Sequence, residues 1–213
     1  MTQRAIDTED KAARRAAILL AARQRYVADG YQIPSVARIA ADAGLAKGTV
    51  YLYFRTKEEI FVALLAKEFA GLIDDANAFF SGDFSPADLP GFIGRYVEYL
   101  DTHPELLRLD AMAYGVLEQN LPEAQLRMFK LELTHRLVEA GKRVDMALSL
   151  PAGRGTQLLM RTYALTRGLW QSLDYPPAMK AVLAAPEFAP IRPDFRTELL
   201  AALAEYWRGA LTA

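Results

Sequence analysis

Apolar residues recur at helical spacing along most of the chain, as Leu19, Ala22 and Tyr26 do near its start. Alternation of apolar and polar residues with a period of two, which is typical of strands, is scarce. The pattern therefore predicts an all-α protein of about nine helices. Prolines and glycines divide these helices. The predicted helices cover 11–29, 35–43, 47–54 and 56–80, then begin near Pro86, Pro104 and Pro122, and finally cover 156–174, 178–183 and 194–210.

The segment from Ser35 to Lys57 combines two short predicted helices with a glycine turn between them. An apolar stripe that includes Ile39 lies on the first helix, and Val50 and Phe54 lie four residues apart on the second, facing that stripe. This spacing predicts a helix-turn-helix. A second helix of about seven residues would be roughly 10 Å long and would fit a DNA major groove about 12 Å wide.

Burial of Val50 and Phe54 turns the opposite face of this second helix outward. On such a face a lysine suits a guanine edge or a phosphate, a glycine allows close backbone approach, and hydroxyl groups supply further hydrogen bonds. The outward residues are Lys47, Gly48, Tyr51 and Leu52, with Thr49 and Tyr53 along one edge. Lys57 begins the next helix, where its charge and backbone N–H groups suit a phosphate. Taken singly, these residues also suit an ordinary surface, and helix pairs with glycine turns occur in many folds.

A longer pattern surrounds this segment. It consists of Gly30 with Tyr31, Ile39 with Ala40, Ala43 with Gly44 and Leu45, the run from Lys47 to Tyr51, then Phe54 and Lys57. Together these residues resemble the N-terminal DNA-binding domain of the TetR family of bacterial transcriptional regulators, over about residues 12–65. Two positions depart from the family: Ala46 and Tyr53 stand where serine and histidine are common.

The resemblance implies a three-helix DNA-binding domain over 1–56 and a larger helical domain for ligand binding and dimerisation over 57–213. It implies that Lys47, Gly48, Thr49, Tyr51 and Tyr53 contact the groove and the backbone of DNA. By the same resemblance Lys57 contacts phosphate, and Ser35 caps its helix and contacts phosphate. The implied function is that of a homodimeric repressor, released from a palindromic operator by a small lipophilic ligand that shifts the helix over 56–80.

The last two long helices carry apolar residues on more than one face. Such a helix is either central in a core or shared with a partner. The alternatives are therefore a monomeric core and a homodimer, and the resemblance favours a four-helix bundle between two copies. The predicted interface residues are Leu158, Leu165, Leu169, Leu199, Leu203 and Tyr206.

Aromatic residues, methionines and leucines between 92 and 133, with two aromatic residues from the helix over 156–174, suit the lining of an apolar cavity for a small lipophilic ligand. The same residue types at helical spacing are also typical of an ordinary core. The candidate ligand-binding residues are Tyr99, Met112, Leu117, Met128, Phe129, Leu133, Tyr163 and Trp170.

Charge and composition change this picture only modestly. Residues 1–60 carry ten basic and seven acidic side chains, against 15 and 19 in the remainder, which weakly favours an anionic partner at the N-terminal end. The chain has no cysteine, and its sequence contains neither a glycine-rich phosphate loop nor a His-Glu metal pair. We therefore expect no cofactor, no metal site and no enzymatic activity. A helical interaction module that has lost DNA binding is an alternative, against which the intact outward face argues.

The longest N-terminal apolar run covers only residues 16–22. A helix needs roughly 18 to 20 apolar residues to cross a bilayer. We therefore expect a soluble, cytoplasmic protein that does not bind a membrane.

Overall fold

The computed structural model describes residues 3–82 and 84–212. Within these ranges the chain is helical and contains no strand, which confirms the predicted all-α class. None of the described helices is both long enough and apolar enough to cross a membrane. The ten α-helices of the described ranges are α1 (Gln3–Ala28), α2 (Val36–Asp42), α3 (Lys47–Tyr51), α4 (Lys57–Phe79), α5 (Leu89–Thr102), α6 (Glu105–Met112), α7 (Glu123–Ala147), α8 (Arg154–Leu173), α9 (Pro177–Leu183) and α10 (Phe195–Thr212).

Helix α1 begins at Gln3, well before the predicted start at Lys11. The buried stripe that fixes its packing starts only at Ile18, and the side chains of residues 10–16 are exposed. No glycine or proline interrupts α1, and alanine and arginine, which are frequent in it, are strong helix formers. Because buried positions begin only at Ile18, they give a prediction no signal for where this helix starts.

The chain divides into two compact units, and two of the three boundaries between them fall inside helices. The head unit comprises the chain up to Phe69 together with Pro104–Lys130. The body unit comprises Ala70–His103 together with the chain from Leu131 onward. Helices α4 and α7 therefore each contribute their first part to the head unit and their remainder to the body unit.

The core of the head unit is formed by α1, α4 and α6 together with the two short helices α2 and α3. Ile18 and Tyr26 of α1, Phe61 of α4 and Leu106 of α6 are fully buried. The rings of Tyr26 and Phe61 lie 5.4 Å apart between centroids. Burial raises the pKa of the Tyr26 phenol above its ordinary value.

Charged residues join three helices of the head unit. Glu105, in the first turn of α6, is fully buried and pairs with Arg23 of α1. Glu68 of α4 is also buried and lies 3.9 Å from the same guanidinium group. Nearby, the guanidinium carbon of Arg108 lies 4.2 Å from the centroid of the Tyr31 ring. Because a buried carboxylate is stable only when it is paired, these contacts tie α6 to α1.

The body unit has its core between α5, α8 and α10. Leu158 of α8 and Leu199 and Leu203 of α10 are fully buried there. Trp207 of α10 is also fully buried, and its ring lies 5.4 Å from that of Phe92 on α5, nearly at right angles to it. One apolar face of α8 and one of α10 are therefore buried by packing within a single chain.

The start of α8 differs from the prediction. The predicted helix covers 156–174, whereas the helix begins at Arg154. The buried carboxylate of Asp145, on α7, accepts a hydrogen bond from the N–H of Gly153 at 2.7 Å and another from the N–H of Gly155. A side chain eight to ten residues away in sequence thus caps the helix, and local spacing cannot reveal it.

The close approach of α7 to α8 gives a prediction for stability at Gly141. A Cβ atom at Gly141 would lie 2.6 Å from the backbone nitrogen of Thr156, closer than real Cβ contacts come. Gly141→Ala should therefore force the two helices apart and lower the free energy of unfolding by about 1–3 kcal/mol. Urea denaturation followed by circular dichroism measures this change.

Gly94→Ala is the matched control for this substitution. Gly94 lies inside α5, and no heavy atom lies within 4 Å of the position that its Cβ atom would occupy. Because alanine is the better helix former, this variant should be as stable as the original protein or more stable by up to about 1 kcal/mol. If the two variants were equally stable, this would contradict the close approach of α7 to α8 at Gly141.

Candidate nucleic-acid interface

Helices α2 and α3 form the helix-turn-helix that the sequence predicts. Ser35 caps α2, since its hydroxyl oxygen accepts a hydrogen bond from the N–H of Arg38 at 3.4 Å. Gly44 has a φ of +67°, a left-handed conformation that glycine adopts without strain, and the chain turns there toward α3. Ile39 of α2 and Val50 of α3 are fully buried, so the apolar faces of the two helices pack against each other.

Helix α3 is shorter than predicted, because it ends at Tyr51 and not at Phe54. Its first flanking residue, Ala46, makes no side-chain capping bond, as its lack of a hydroxyl group requires. Beyond the helix, the N–H groups of Tyr53 and Phe54 still donate to the carbonyl oxygen of Val50, each at 3.0 Å. The chain therefore keeps winding for one more turn, and Phe54 is buried like Val50.

The residues predicted to face outward do so. Lys47, Gly48 and Tyr51 are exposed, and Thr49 and Tyr53 are half-buried. The Lys47 ammonium nitrogen lies 5.8 Å from the centroid of the Tyr51 ring, within range of a cation–π contact. The structure thus places a positive charge and a phenol side by side on the exposed face of α3. Their contacts with DNA stay a prediction.

The start of α4 lies directly after this face. The N–H of Glu59 donates to the Thr56 hydroxyl oxygen at 3.2 Å. In return, the Glu59 carboxylate accepts a hydrogen bond from the N–H of Arg55 at 2.7 Å. Lys57 is exposed in the first turn of α4. Its side chain, which lies 3.9 Å from the Glu58 carboxylate, is therefore accessible to an anion.

Two contacts that sequence reasoning missed hold this region in place. The guanidinium group of Arg25 donates two hydrogen bonds of 2.7 Å to the carboxylate of Asp42, joining α1 to α2. These bonds hold the pKa of Asp42 below its ordinary value. The guanidinium carbon of Arg15 lies 5.2 Å from the centroid of the Phe54 ring. Residues 17 positions apart, such as Arg25 and Asp42, show no periodic signal in the sequence.

The residues predicted to bind a ligand fall into both compact units. In the head unit, Leu117 and Phe129 are buried, whereas the side chain of Met128 is 71% exposed. In the body unit, the half-buried ring of Tyr99 stacks on His103 with a centroid distance of 4.0 Å. The other candidates, all half-buried, are Met112 in the head unit and Leu133, Tyr163 and Trp170 in the body unit.

The six residues predicted at a dimer interface also divide into two groups. Leu158, Leu199 and Leu203 are fully buried within the single chain and present no surface to a partner. They belong to the core because α8 and α10 pack against each other. Leu165 is exposed, and Leu169 and Tyr206 are half-buried, so these three keep accessible surface.

Two family models match the chain. The model of bacterial regulatory proteins of the tetR family matches residues 18–64, and that of the tetracyclin repressor-like C-terminal domain matches residues 66–213. The HTH-type transcriptional repressor SCO4008 of Streptomyces coelicolor is 35% identical over 112 residues, which cover 51% of this chain and 55% of that protein. The fatty acid metabolism regulator protein of Bacillus subtilis is 41% identical over 46 residues, 22% of this chain and 24% of that protein. The chain thus spans about half, or less, of the length of these curated relatives.

Solved structures of low identity share the fold. A TetR-family transcriptional regulator from Mesorhizobium loti superposes with a TM-score of 0.60 at 20% identity, covering 94% of this chain and 96% of that one. The transcriptional regulator FadR from Bacillus subtilis, in complex with stearoyl-CoA, gives a TM-score of 0.53 at 19% identity, covering 90% and 96%. Together with the family models, which span most of the sequence, these findings show that the chain belongs to the TetR family of bacterial regulatory proteins, a family of transcriptional regulators and not of enzymes.

Proposed function

We propose that the protein is a transcriptional repressor that binds a palindromic DNA operator as a homodimer and is released by a small lipophilic effector. The observation that carries this proposal is the exposed face of the helix-turn-helix, where the buried side chains of Val50 and Phe54 turn Lys47 and Tyr51 outward. Bacterial operators lie in the cytoplasm, and we place the protein there.

The size and chemistry of α3 suit the major groove. A helix of five residues is about 7.5 Å long, which is less than the groove width of about 12 Å. Lys47 carries the charge that a guanine edge or a phosphate attracts, and the Tyr51 hydroxyl group donates and accepts hydrogen bonds. Gly48 lies between them with no heavy atom near its missing Cβ, so DNA can approach the backbone. The face therefore offers both a charge that positions the protein on the duplex and hydrogen-bonding groups that distinguish bases.

Residues around α3 complete the proposed surface. Thr49 and Tyr53, at the edge of the exposed face, supply hydroxyl groups for the groove wall. Ser35 at the start of α2 and Lys57 at the start of α4 supply contacts to phosphates, which position a protein on the duplex without reading its sequence.

The proposed dimer interface lies on exposed strips of α8 and α10. Ala164 and Gly168 are exposed on α8, and Ala201 and Gly209 are exposed on α10. Such small residues let helices from two copies approach closely, and Leu165 adds an apolar contact in the middle of the α8 strip. A two-fold dimer presents two α3 helices, as half-sites about 34–36 Å apart require. The proposed interface residues are Ala164, Leu165, Gly168, Leu169, Ala201, Tyr206 and Gly209.

The proposed effector is lipophilic because all eight candidate ligand-binding residues are apolar or aromatic. The Bacillus subtilis FadR structure contains stearoyl-CoA, a ligand with a long acyl chain, on a similar fold. In this chain we propose that the effector binds within the body unit, in contact with Tyr99, Tyr163 and Trp170. Helix α4, which contributes residues to both units, then carries the effect of binding to the head unit. Effector binding lowers the affinity of the protein for its operator, and operator binding lowers the affinity for the effector by the same factor, because such coupling is reciprocal.

The experiment that tests this function is a selection of bound sequences from random duplex DNA by the purified protein. Moderate salt keeps nonspecific phosphate binding from dominating the result. We expect an enriched near-palindrome whose two half-sites are centred about 10 base pairs apart, or a multiple of that spacing. Absence of enrichment, with and without fatty acyl ligands added, would contradict the proposal.

Substitutions on α3 should weaken operator binding without loss of folding. Tyr51→Ala should cost about 1–3 kcal/mol of binding free energy if the phenol contacts a base edge, and Lys47→Ala should weaken binding and reduce its dependence on salt. Fluorescence anisotropy with the selected operator measures both effects. Lys142→Ala is the matched control, because Lys142 is an exposed lysine on α7 that pairs with Glu139 and lies outside the head unit. The assignment of this face fails if the control and Lys47→Ala bind alike.

A charge placed on the α8 strip should separate the dimer. Leu165→Glu buries a carboxylate in the proposed interface, so the variant should sediment as a monomer at micromolar concentration, with unchanged helicity and much weaker operator binding. Met179→Glu, at a position of α9 that is also exposed, should leave the dimer intact. If the Leu165→Glu variant remains a dimer, the interface must lie on another surface.

A further inference from the structure

Leu52 is the most exposed of the large hydrophobic side chains that the structure describes. It is 80% exposed, while its neighbour Tyr51 is 44% exposed. A leucine in water forgoes the stabilisation that burial of an apolar side chain provides. Single exposed apolar residues are common on protein surfaces, but Leu52 lies directly after α3, on the face proposed to contact DNA, where an apolar partner would cover it.

The backbone around Leu52 fixes the direction of its side chain. The residue closes α3 with helical dihedral angles, φ −72° and ψ −20°, and its N–H donates to the Thr49 carbonyl oxygen at 3.1 Å. Val50 and Phe54, two residues before it and two after it, are both buried. Leu52 is thus held outward by the burial of its neighbours and not by contacts of its own side chain.

The chemistry of the major groove supplies one apolar partner for such a side chain. The base edges present hydrogen-bond donors and acceptors, except for the C5-methyl group of thymine. Lys47, Thr49 and Tyr51 can meet the donors and acceptors, but a leucine can form neither kind of hydrogen bond. From Lys47 to Leu52 the helix rises only about 7.5 Å, so Leu52 stays inside a groove about 12 Å wide.

We propose that Leu52 determines operator specificity by packing against the C5-methyl group of one thymine in each half-site. This inference rests on the proposed function, since it requires α3 to lie in the major groove. It assigns to Leu52 the discrimination of thymine from a base that lacks the methyl group. Among the polar residues of the face only Thr49 also carries a methyl group that suits such a contact, and the Leu52 variants below separate the two.

The test replaces each thymine of the selected operator in turn by deoxyuridine, at the same position in both half-sites. Deoxyuridine removes only the methyl group and keeps base pairing. At one position the loss should weaken binding about fourfold per half-site and about fifteenfold for the two together, as expected for one buried methyl group. At all other positions the affinity should be unchanged. Anisotropy titrations at constant salt measure these ratios.

Leu52→Ala should abolish the discrimination between thymine and deoxyuridine at that one position. It should leave the salt dependence of binding unchanged, because the leucine contacts no phosphate. Leu52→Met, which keeps an apolar side chain of similar size, should retain most of the discrimination. Met146→Ala is the matched control, since Met146 is a strongly exposed apolar residue in the body unit, and its removal should change nothing.

Three results would overturn the inference. The first is equal binding of all deoxyuridine operators by the original protein. The second is a selected half-site without a fixed A·T pair. The third is a Leu52→Ala variant that binds more weakly but keeps the discrimination, which would show that the leucine acts through the shape of α3. Binding of the unmodified operator is the internal reference, so failure of the proposed function appears as loss of that binding, whereas failure of this inference leaves it intact.

Discussion

The exposed face of the head unit depends on the burial of two side chains, Val50 and Phe54. Helix α3 has five residues and no side-chain cap, and a helix of that length is unstable on its own in water. Its conformation is therefore imposed by packing against α2 and the core. The same packing decides which residues point outward, so every proposed contact of α3 with DNA follows from where these two side chains lie.

Two kinds of charge pair support this arrangement, and they differ in what their loss would do. The pairing of Arg25 with Asp42 lies at the surface, where solvent screens it and an ion pair contributes little to stability. The pairing of Glu105 with Arg23 involves a carboxylate with no solvent exposure. Removal of the arginine would leave that charge buried and uncompensated. The connection between α1 and α6 is thus far less tolerant of change than the connection between α1 and α2.

The sequence predicts those parts of the fold that depend on residues close together along the chain. Helical periodicity, the glycine turn at Gly44 and the Ser35 cap are local features, and the helix-turn-helix follows from them. Features that depend on distant residues are not predictable in this way. The cap from Asp145 to α8 is one example. The burial of Leu158 within the chain is another, because an apolar residue on a two-faced helix has the same pattern whether it packs against its own chain or against a second copy.

The magnitudes of these interactions limit how an effector can act on the head unit. Breaking a buried ion pair by removing one partner costs about 3–5 kcal/mol, whereas coupling between an effector and a second ligand is typically about 1–3 kcal/mol. We therefore expect the proposed effector to leave the pairing of Glu105 with Arg23 intact. On the proposed function, it acts on the spacing of the two α3 helices in the dimer and not on the internal structure of the helix-turn-helix.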